Sequence, residues 1–251
     1  MKFLRFVLAA FILIALVSST GAAQTALPIP KVTFGIDKAS KPQDVALTLQ
    51  ILFLMTILSL APAILIMTTA FTRIIVVFFF LKQALGTQSM PPGQIFIGLA
   101  MFLTFFVMAP TWNKINESAL QPYLKNKITL DSAYSEGVKP VRSFMLRQTR
   151  EKDLALMVKL ANLNRPKTAE DIPTYVIIPA FAISELRIGF EIGFIIFIPF
   201  IMIDMIVSSL LMSMGMMMLP PVMVSLPLKI LLFVLVDGWY LLVGSLVQSF
   251  K

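Results

Sequence analysis

The 251-residue chain contains neither cysteine nor histidine. Without cysteine it can form no disulfide and offers no thiol for catalysis or metal binding. Without histidine it lacks the side chain that proteins use most often as an acid–base group and a metal ligand. Charge is also scarce, because only 14% of the residues are charged while 58% are hydrophobic. A mean hydropathy of +0.88 is far above that of a soluble domain. The composition therefore predicts a membrane protein and weighs against many enzyme classes.

The few charges have an uneven distribution along the chain. Lys and Arg number 21 against 13 Asp and Glu, which gives a formal net charge of +8. A surplus of this size is typical of proteins that bind nucleic acid or anionic lipid. About half of the basic residues, however, lie between Lys114 and Lys167, interleaved with acidic residues and without a basic stripe. We therefore expect no nucleic-acid partner.

The N-terminus has the layout of a secretory signal peptide. Lys2 and Arg5 precede an apolar stretch, residues 6–17, and small residues follow as far as Ala23. This order predicts a cleavable signal over residues 1–23. An uncleaved first spanning helix is the alternative, although the apolar stretch is short for a span of about 20 residues. Residues 24–44 are polar and contain prolines, and we expect them to form an extended lead-in.

Two long apolar regions flank one polar region. Residues 45–110 predict a first helical hairpin, and residues 174–251 predict a second, with a methionine-rich loop at 212–221. Residues 111–173 predict a small helical domain, which faces the periplasm if the basic N-terminus stays in the cytoplasm. Pro179 and Pro199 lead us to expect no straight single helix in the second region. The expected fold is an all-α membrane protein with two hairpins around this domain.

Several charged residues lie within the apolar regions, where an ionisable group costs about 2.5 to 3.5 kcal/mol on insertion scales. Asp204 and Lys229 are almost equally far from a hairpin turn near Met217, so we expect them to pair. Arg187 and Glu191, four residues apart on a helix, are a second expected pair. The other charged candidates are Arg73, Glu185 and Asp237.

Other interpretations of these charges stay open. They can line water or lie at the membrane interface, or acidic residues can carry protons. Asp204 and Asp237 can also serve as the two acids of an intramembrane protease.

Gly189 and Gly193 form a Gly-xxx-Gly motif. Such spacing lets two membrane helices approach closely. We expect it to serve packing between subunits.

The stretch MSMGMMMLPP places five methionines before two prolines: Met212, Met214, Met216, Met217 and Met218. Thioethers bind Cu(I), so a copper site is one interpretation. A buried turn filled with methionine is another. The third is a deformable contact surface, because methionine is flexible and adapts to different partners.

Five stretches carry a resemblance to a known family. They are long and keep their order along the chain: LSLAPAILIMTTAFTRIIVVF (58–78), LKQALGTQ (81–88), FMLRQTREKDLAL (144–156), PAFAISELRIGF (179–190) and PFIMIDMIVSSLLMSMGMMMLPP (199–221). In these stretches the sequence resembles the FliP family of flagellar export-gate proteins, which is related to the SctR proteins of injectisomes.

The resemblance implies a pore-forming subunit of the flagellar type III export gate, with no catalytic site, cofactor or metal. It implies a homo-oligomer, expected as a pentamer, that assembles with FliQ and FliR into a helical ring-like pore in the inner membrane. FlhB and FlhA are the expected neighbours in the basal body. The five methionines are then a gasket around unfolded flagellar subunits. A methionine-dependent copper transporter and an injectisome export-gate subunit are the alternatives.

Overall fold

The computed structural model describes residues 42–87, 92–163, 166, 168–216 and 219–250. The predicted signal peptide and most of the lead-in therefore lie outside the described residues, as do Met217 and Met218. The chain divides into two units between Leu52 and Phe53. Of the first unit, only the beginning of one helix is described, and the packing reported below concerns the second unit.

All regular structure within these described ranges is helical, which confirms the predicted all-α class. The α-helices are α1 (Pro42–Thr68), α2 (Phe71–Leu85), α3 (Gly93–Ile115), α4 (Gln121–Leu124), α5 (Leu130–Gln148), α6 (Glu151–Leu160), α7 (Thr174–Ser213), α8 (Pro221–Leu235) and α9 (Gly238–Gln248). A π-helical stretch, Asn116–Leu120, continues α3 into α4, and a 3₁₀ turn, Ala169–Asp171, precedes α7.

Three helical segments are long and apolar enough to cross a membrane: Thr48–Thr68, Gly93–Leu124 and Thr174–Ser213. Helices α8 and α9 make a fourth candidate span if they are counted as one segment with a bend of 65°. Most large apolar side chains on these segments are exposed in the single chain. The chain is therefore a membrane protein whose apolar helix surfaces are open to lipid or to other subunits.

The core lies where α2 packs along α7. On α2, Ile74, Val77, Phe78 and Leu81 follow the spacing of one helix face, and all four are fully buried. They face the N-terminal half of α7, which contributes the fully buried Phe181. This contact fixes the positions of the charged residues that both helices carry.

The first apolar region contains three helices in the structure, because α1 and α2 are separate. The break follows from two threonines at the end of α1. The hydroxyl of Thr68 donates to the Ile64 carbonyl at 2.8 Å, and the hydroxyl of Thr69 donates to the Leu65 carbonyl at 2.7 Å. Bonds of this kind compete with the backbone ladder and favour a bend or an end of a helix.

Helix α7 runs through Pro179 and Pro199 as one helix of 40 residues, and the expectation that it is not straight stays a prediction. Each proline removes one backbone hydrogen bond from the helix, whereas the residues around it keep theirs. Packing against α2 and α6 stabilises the N-terminal half of α7. These tertiary contacts offset the local cost of Pro179, which lies in that half.

The predicted polar region contributes α4, α5 and α6, and it is tied to the start of α7. Arg142 of α5 donates to the Thr174 hydroxyl at 2.5 Å and to the Ile172 carbonyl at 2.7 Å. Helix α5 also packs against α3. The beginning of α7 and the end of the apolar run of α3 therefore lie on the same side as the polar helices.

Candidate functional site

The methionine-rich turn joins α7 to α8 through a glycine cap. Gly215 has φ of 75°, in the left-handed region that favours glycine. Its amide donates to the Met212 carbonyl at 3.1 Å, and the Met216 amide donates to the Leu211 carbonyl at 3.0 Å. This pair of bonds is the Schellman arrangement that ends a helix. Pro221 then opens α8, where its missing amide proton is not needed.

The described methionines of the turn face away from the core. Met212 is 58% exposed and Met214 is 71% exposed, whereas Met216 is half-buried. Leu219 and Met223 extend the exposed apolar surface onto the first turn of α8. The turn therefore presents flexible thioether side chains on the outside of the single chain.

Asp204 of α7 and Lys229 of α8 lie close together on the two helices that this turn joins. The Lys229 ammonium is 2.6 Å from Asp204 Oδ2, and the Ser225 hydroxyl donates to Asp204 Oδ1 at 2.5 Å. Each carboxylate oxygen of Asp204 therefore has a partner, and both partners are buried, because Lys229 is 3% exposed and Ser225 is fully buried. The structure thus brings together the pair that the spacing around the turn predicted.

The end of α2 also approaches this pair. Gly86 has φ of 74°, and its amide donates to the Gln83 carbonyl at 3.1 Å. A Cβ atom at Gly86 would lie 3.8 Å from Lys229 Nζ and 3.5 Å from Val222 Cγ1. Three elements, α2, α7 and α8, therefore meet around the ammonium group.

Arg73 and Glu185 form a second pair at the centre of the core, where they are 1% and 0% exposed. Arg73 Nε donates to Glu185 Oε2 at 3.1 Å, and its Nη2 donates to the other carboxylate oxygen, so the pairing is bidentate. Arg73 Nη1 also donates to the carbonyl of Ser249 at 2.8 Å and to its hydroxyl at 3.0 Å. The guanidinium therefore links α2, α7 and the end of α9.

Two further residues complete the surroundings of Arg73. Gln148 of α5 accepts from Arg73 Nη2 at 3.0 Å and donates from its amide to the Phe250 carbonyl at 2.9 Å. The Phe250 ring lies 3.9 Å from the guanidinium carbon, in a cation–π arrangement. Arg73 and Glu185 were predicted as charged candidates without assigned partners, and the roles of Gln148, Ser249 and Phe250 were missed.

Arg187 and Glu191 also lie together, with Arg187 Nε 3.0 Å from Glu191 Oε1. Both are more than half exposed, and Arg150 Nη1 lies 3.8 Å from the same carboxylate oxygen. An exposed pair of this kind contributes about 0.3 to 0.5 kcal/mol in water. A neighbouring buried group was missed: the Ser184 hydroxyl donates to Asp153 Oδ2 at 2.7 Å and accepts from the Arg150 amide.

Asp237 stands apart from the other charged candidates. It has φ of 50° and ψ of 52°, and it occupies the bend between α8 and α9. It lies eight residues after Lys229, the partner of Asp204, which corresponds to roughly 12 Å along a helix. No hydrogen bond or ion pair between the described residues joins Asp237 to Asp204, and Asp204 is already bound to Ser225 and Lys229. The described geometry does not assemble the two acids into a dyad.

Gly189 and Gly193 pack inside one chain, and the expectation that they act between subunits stays a prediction. Both are buried against α2. A Cβ atom at Gly189 would lie 3.0 Å from Val76 Cγ1, and one at Gly193 would lie 2.5 Å from Phe80 Cδ2. The two glycines therefore permit the close approach of α7 to α2 that forms the core.

A family model described as the FliP family matches residues 54–246. The chain belongs to the FliP family. Flagellar biosynthetic protein FliP of Bacillus subtilis (strain 168) is 59% identical over 215 residues, which cover 86% of this chain and 97% of that protein. Flagellar biosynthetic protein FliP of Pectobacterium carotovorum subsp. carotovorum is 52% identical over 208 residues, 83% of this chain and 81% of that protein.

The same degree of similarity extends to a third relative. Flagellar biosynthetic protein FliP of Caulobacter vibrioides (strain ATCC 19089 / CIP 103742 / CB 15) is 52% identical over 202 residues, 80% of this chain and 76% of that protein. The resemblance to the FliP family that the five stretches carry is thereby confirmed. The methionine turn and both buried ion pairs of this FliP-family chain lie inside the matched residues.

Proposed function

We propose that this chain is a subunit of the flagellar protein export apparatus and that copies of it build a pore through the bacterial inner membrane. The observation that carries the proposal is the turn between α7 and α8. It joins two apolar helices, it is closed by a glycine cap, and it exposes Met212 and Met214. Family membership supports a role in flagellar biosynthesis, since the relatives are named for it.

In this proposal the methionine turns of several copies meet at a shared axis. Apolar constrictions oppose the passage of ions because water leaves them. Methionine side chains are also flexible enough to fit around different polypeptides. A ring of such turns can therefore close against ions and still admit an unfolded flagellar subunit, and the chain acts without a catalytic site.

The remaining parts of the proposal concern assembly. Exposed apolar side chains along α1, α3 and α7 give each copy surfaces for neighbouring subunits. The expected assembly is a pentamer with FliQ and FliR, next to FlhB and FlhA. The polar helices α4, α5 and α6 then lie on the periplasmic side.

The absence of native cysteine makes the proposal testable by disulfide crosslinking. Met214→Cys is placed on the exposed part of the turn, and Leu160→Cys, exposed at the end of α6, is the control for thiol access. We expect Met214→Cys chains to crosslink to one another in membranes when export is blocked, and to crosslink less during export. Absence of the crosslink in assembled, thiol-accessible complexes would contradict a shared methionine constriction.

A further inference from the structure

Two adjoining cavities lie where the apolar run of α3 ends. The first, of about 320 Å³, is lined by Lys114 at the end of α3 and by Lys139 and Arg147 of α5. The second, of about 240 Å³, shares Arg147 with the first, together with Pro110 and Thr111. Its other walls are apolar: Phe106, Val107, Phe144, Val247 and Phe250. A basic cavity thus continues into an apolar cleft.

The basic cavity has no acidic residue in its lining. Lys114 and Arg147 are exposed, and neither forms an ion pair with a described residue. Lys139 pairs with Glu136 at 2.6 Å, but both side chains are exposed, and such pairs contribute little. Within this lining at least two positive charges therefore have no counter-charge, and Glu170 and Asp171 line the neighbouring cavity on the other side of Arg147.

The position of the groove relative to the candidate spans gives its two halves different surroundings. Phe106 and Val107 belong to the apolar run of α3, and Val247 belongs to the last turns of α9. Lys114 lies in the last turn of α3, and Lys139 and Arg147 belong to the polar helix α5. If these cations lie at the level of lipid headgroups, the apolar cleft lies at the depth of acyl chains.

We propose that this groove binds an anionic phospholipid, with the headgroup phosphate between Lys114 and Arg147 and part of an acyl chain in the cleft. Cations beside a membrane surface favour anionic lipids over zwitterionic ones. Free phosphate would use the basic cavity alone, whereas the cleft has a use only for an amphiphile. The site does not depend on the pore proposed above.

Native mass spectrometry of the full chain in a neutral detergent tests the site, with phosphatidylglycerol and phosphatidylcholine of identical acyl chains as probes. A cation at an anionic membrane surface contributes about a fivefold preference, and we expect Lys114→Gln/Arg147→Gln to lower the preference for phosphatidylglycerol by at least about that factor. The control Lys125→Gln/Lys159→Gln removes the same charge from exposed positions outside the groove and should leave it unchanged. Val107→Phe, which fills the cleft, should weaken phosphatidylglycerol binding.

Three results would overturn the proposal. The first is equal binding of the two lipids to the unsubstituted chain. The second is an equal loss of the preference in the two double variants. The third is displacement of phosphatidylglycerol by inorganic phosphate at equal concentration. A second measurement leaves the cations intact. A fluorophore on Phe102→Cys, exposed on α3 one turn before Phe106 and outside the lining of both cavities, should be quenched more by acyl-brominated phosphatidylglycerol than by acyl-brominated phosphatidylcholine, and equal quenching contradicts the site.

Discussion

Removing either member of the Arg73–Glu185 pair should destabilise the chain strongly, and by different amounts. Breaking a buried ion pair costs about 3 to 5 kcal/mol, because the remaining charge has no partner. Glu185→Met leaves the Arg73 guanidinium bound to Ser249 and Gln148. Arg73→Met leaves the fully buried Glu185 unpaired and also removes the donor from three acceptor atoms, two on Ser249 and one on Gln148. Because Ser249 is exposed and Gln148 half-buried, each of these costs less than the roughly 1 to 3 kcal/mol of a buried unpaired group. We therefore expect the arginine substitution to be the more harmful.

The double variant Arg73→Met/Glu185→Met separates the pair energy from these additional contacts. It buries no charge, so it should be more stable than the sum of the single effects predicts, by about 3 kcal/mol. Some loss should remain, because Ser249 and Gln148 still lack the guanidinium. Reversible unfolding in mixed micelles of increasing denaturing detergent, followed by helical circular dichroism, measures each variant. Additive single effects, or a Glu185→Met variant less stable than Arg73→Met, would refute this reasoning.

Three further substitutions have expected outcomes. Gly193→Ala should cost about 1 to 3 kcal/mol of unfolding free energy, because its methyl group would overlap the Phe80 ring. Gly98→Ala, at a helical glycine with open space around it, should instead be neutral or stabilising by up to about 1 kcal/mol. Gly215→Ala should cost about 1 to 2 kcal/mol through its left-handed φ, measured in the same unfolding assay, and a neutral result would place the cap elsewhere. Lys229→Met should cost about 1 to 3 kcal/mol and reduce swimming motility, because Asp204 loses its ammonium partner but is 31% exposed and keeps the Ser225 hydroxyl; unchanged stability would show that Asp204 is fully solvated.

The features that follow local periodicity could be predicted from the sequence. The apolar runs predicted helices, and the structure has α1, α3 and α7 as candidate spans. The Asp204–Lys229 pair could also be predicted, because two helices that diverge from one turn place residues at equal distance from it at the same depth. The prediction placed the turn near Met217, and the ion pair between the described residues on both sides agrees with that position.

The contacts around Arg73 could not be predicted in the same way. Glu185 lies 112 residues along the chain from Arg73, and Ser249 lies 176 residues away. Which helices meet depends on the packing of α2 against α7, and no spacing rule within one helix contains that information. The sequence indicates only that an arginine within an apolar segment needs an acidic partner, and several acidic residues of the chain could be that partner.

Local rules leave two features of α7 undecided. Pro179 and Pro199 are unfavourable within an isolated helix, and a Gly-xxx-Gly motif is compatible with packing on any neighbouring helix. At the glycines the neighbouring helix is α2, whose Val76 and Phe80 lie against Gly189 and Gly193. Tertiary packing therefore determined what propensity left undecided.

The central claim, that the methionine turn closes a shared pore, is tested most directly by the ion permeability of the membrane. Cells that produce the full assembly with Met212→Ser and Met214→Ser should leak sodium and potassium ions while export is idle, because a hydrated constriction no longer excludes ions. The same substitutions at Met202 and Met205, exposed on α7 away from the turn, are the control. A membrane that stays tight with the turn substituted, in cells that still assemble the complex, would contradict the account.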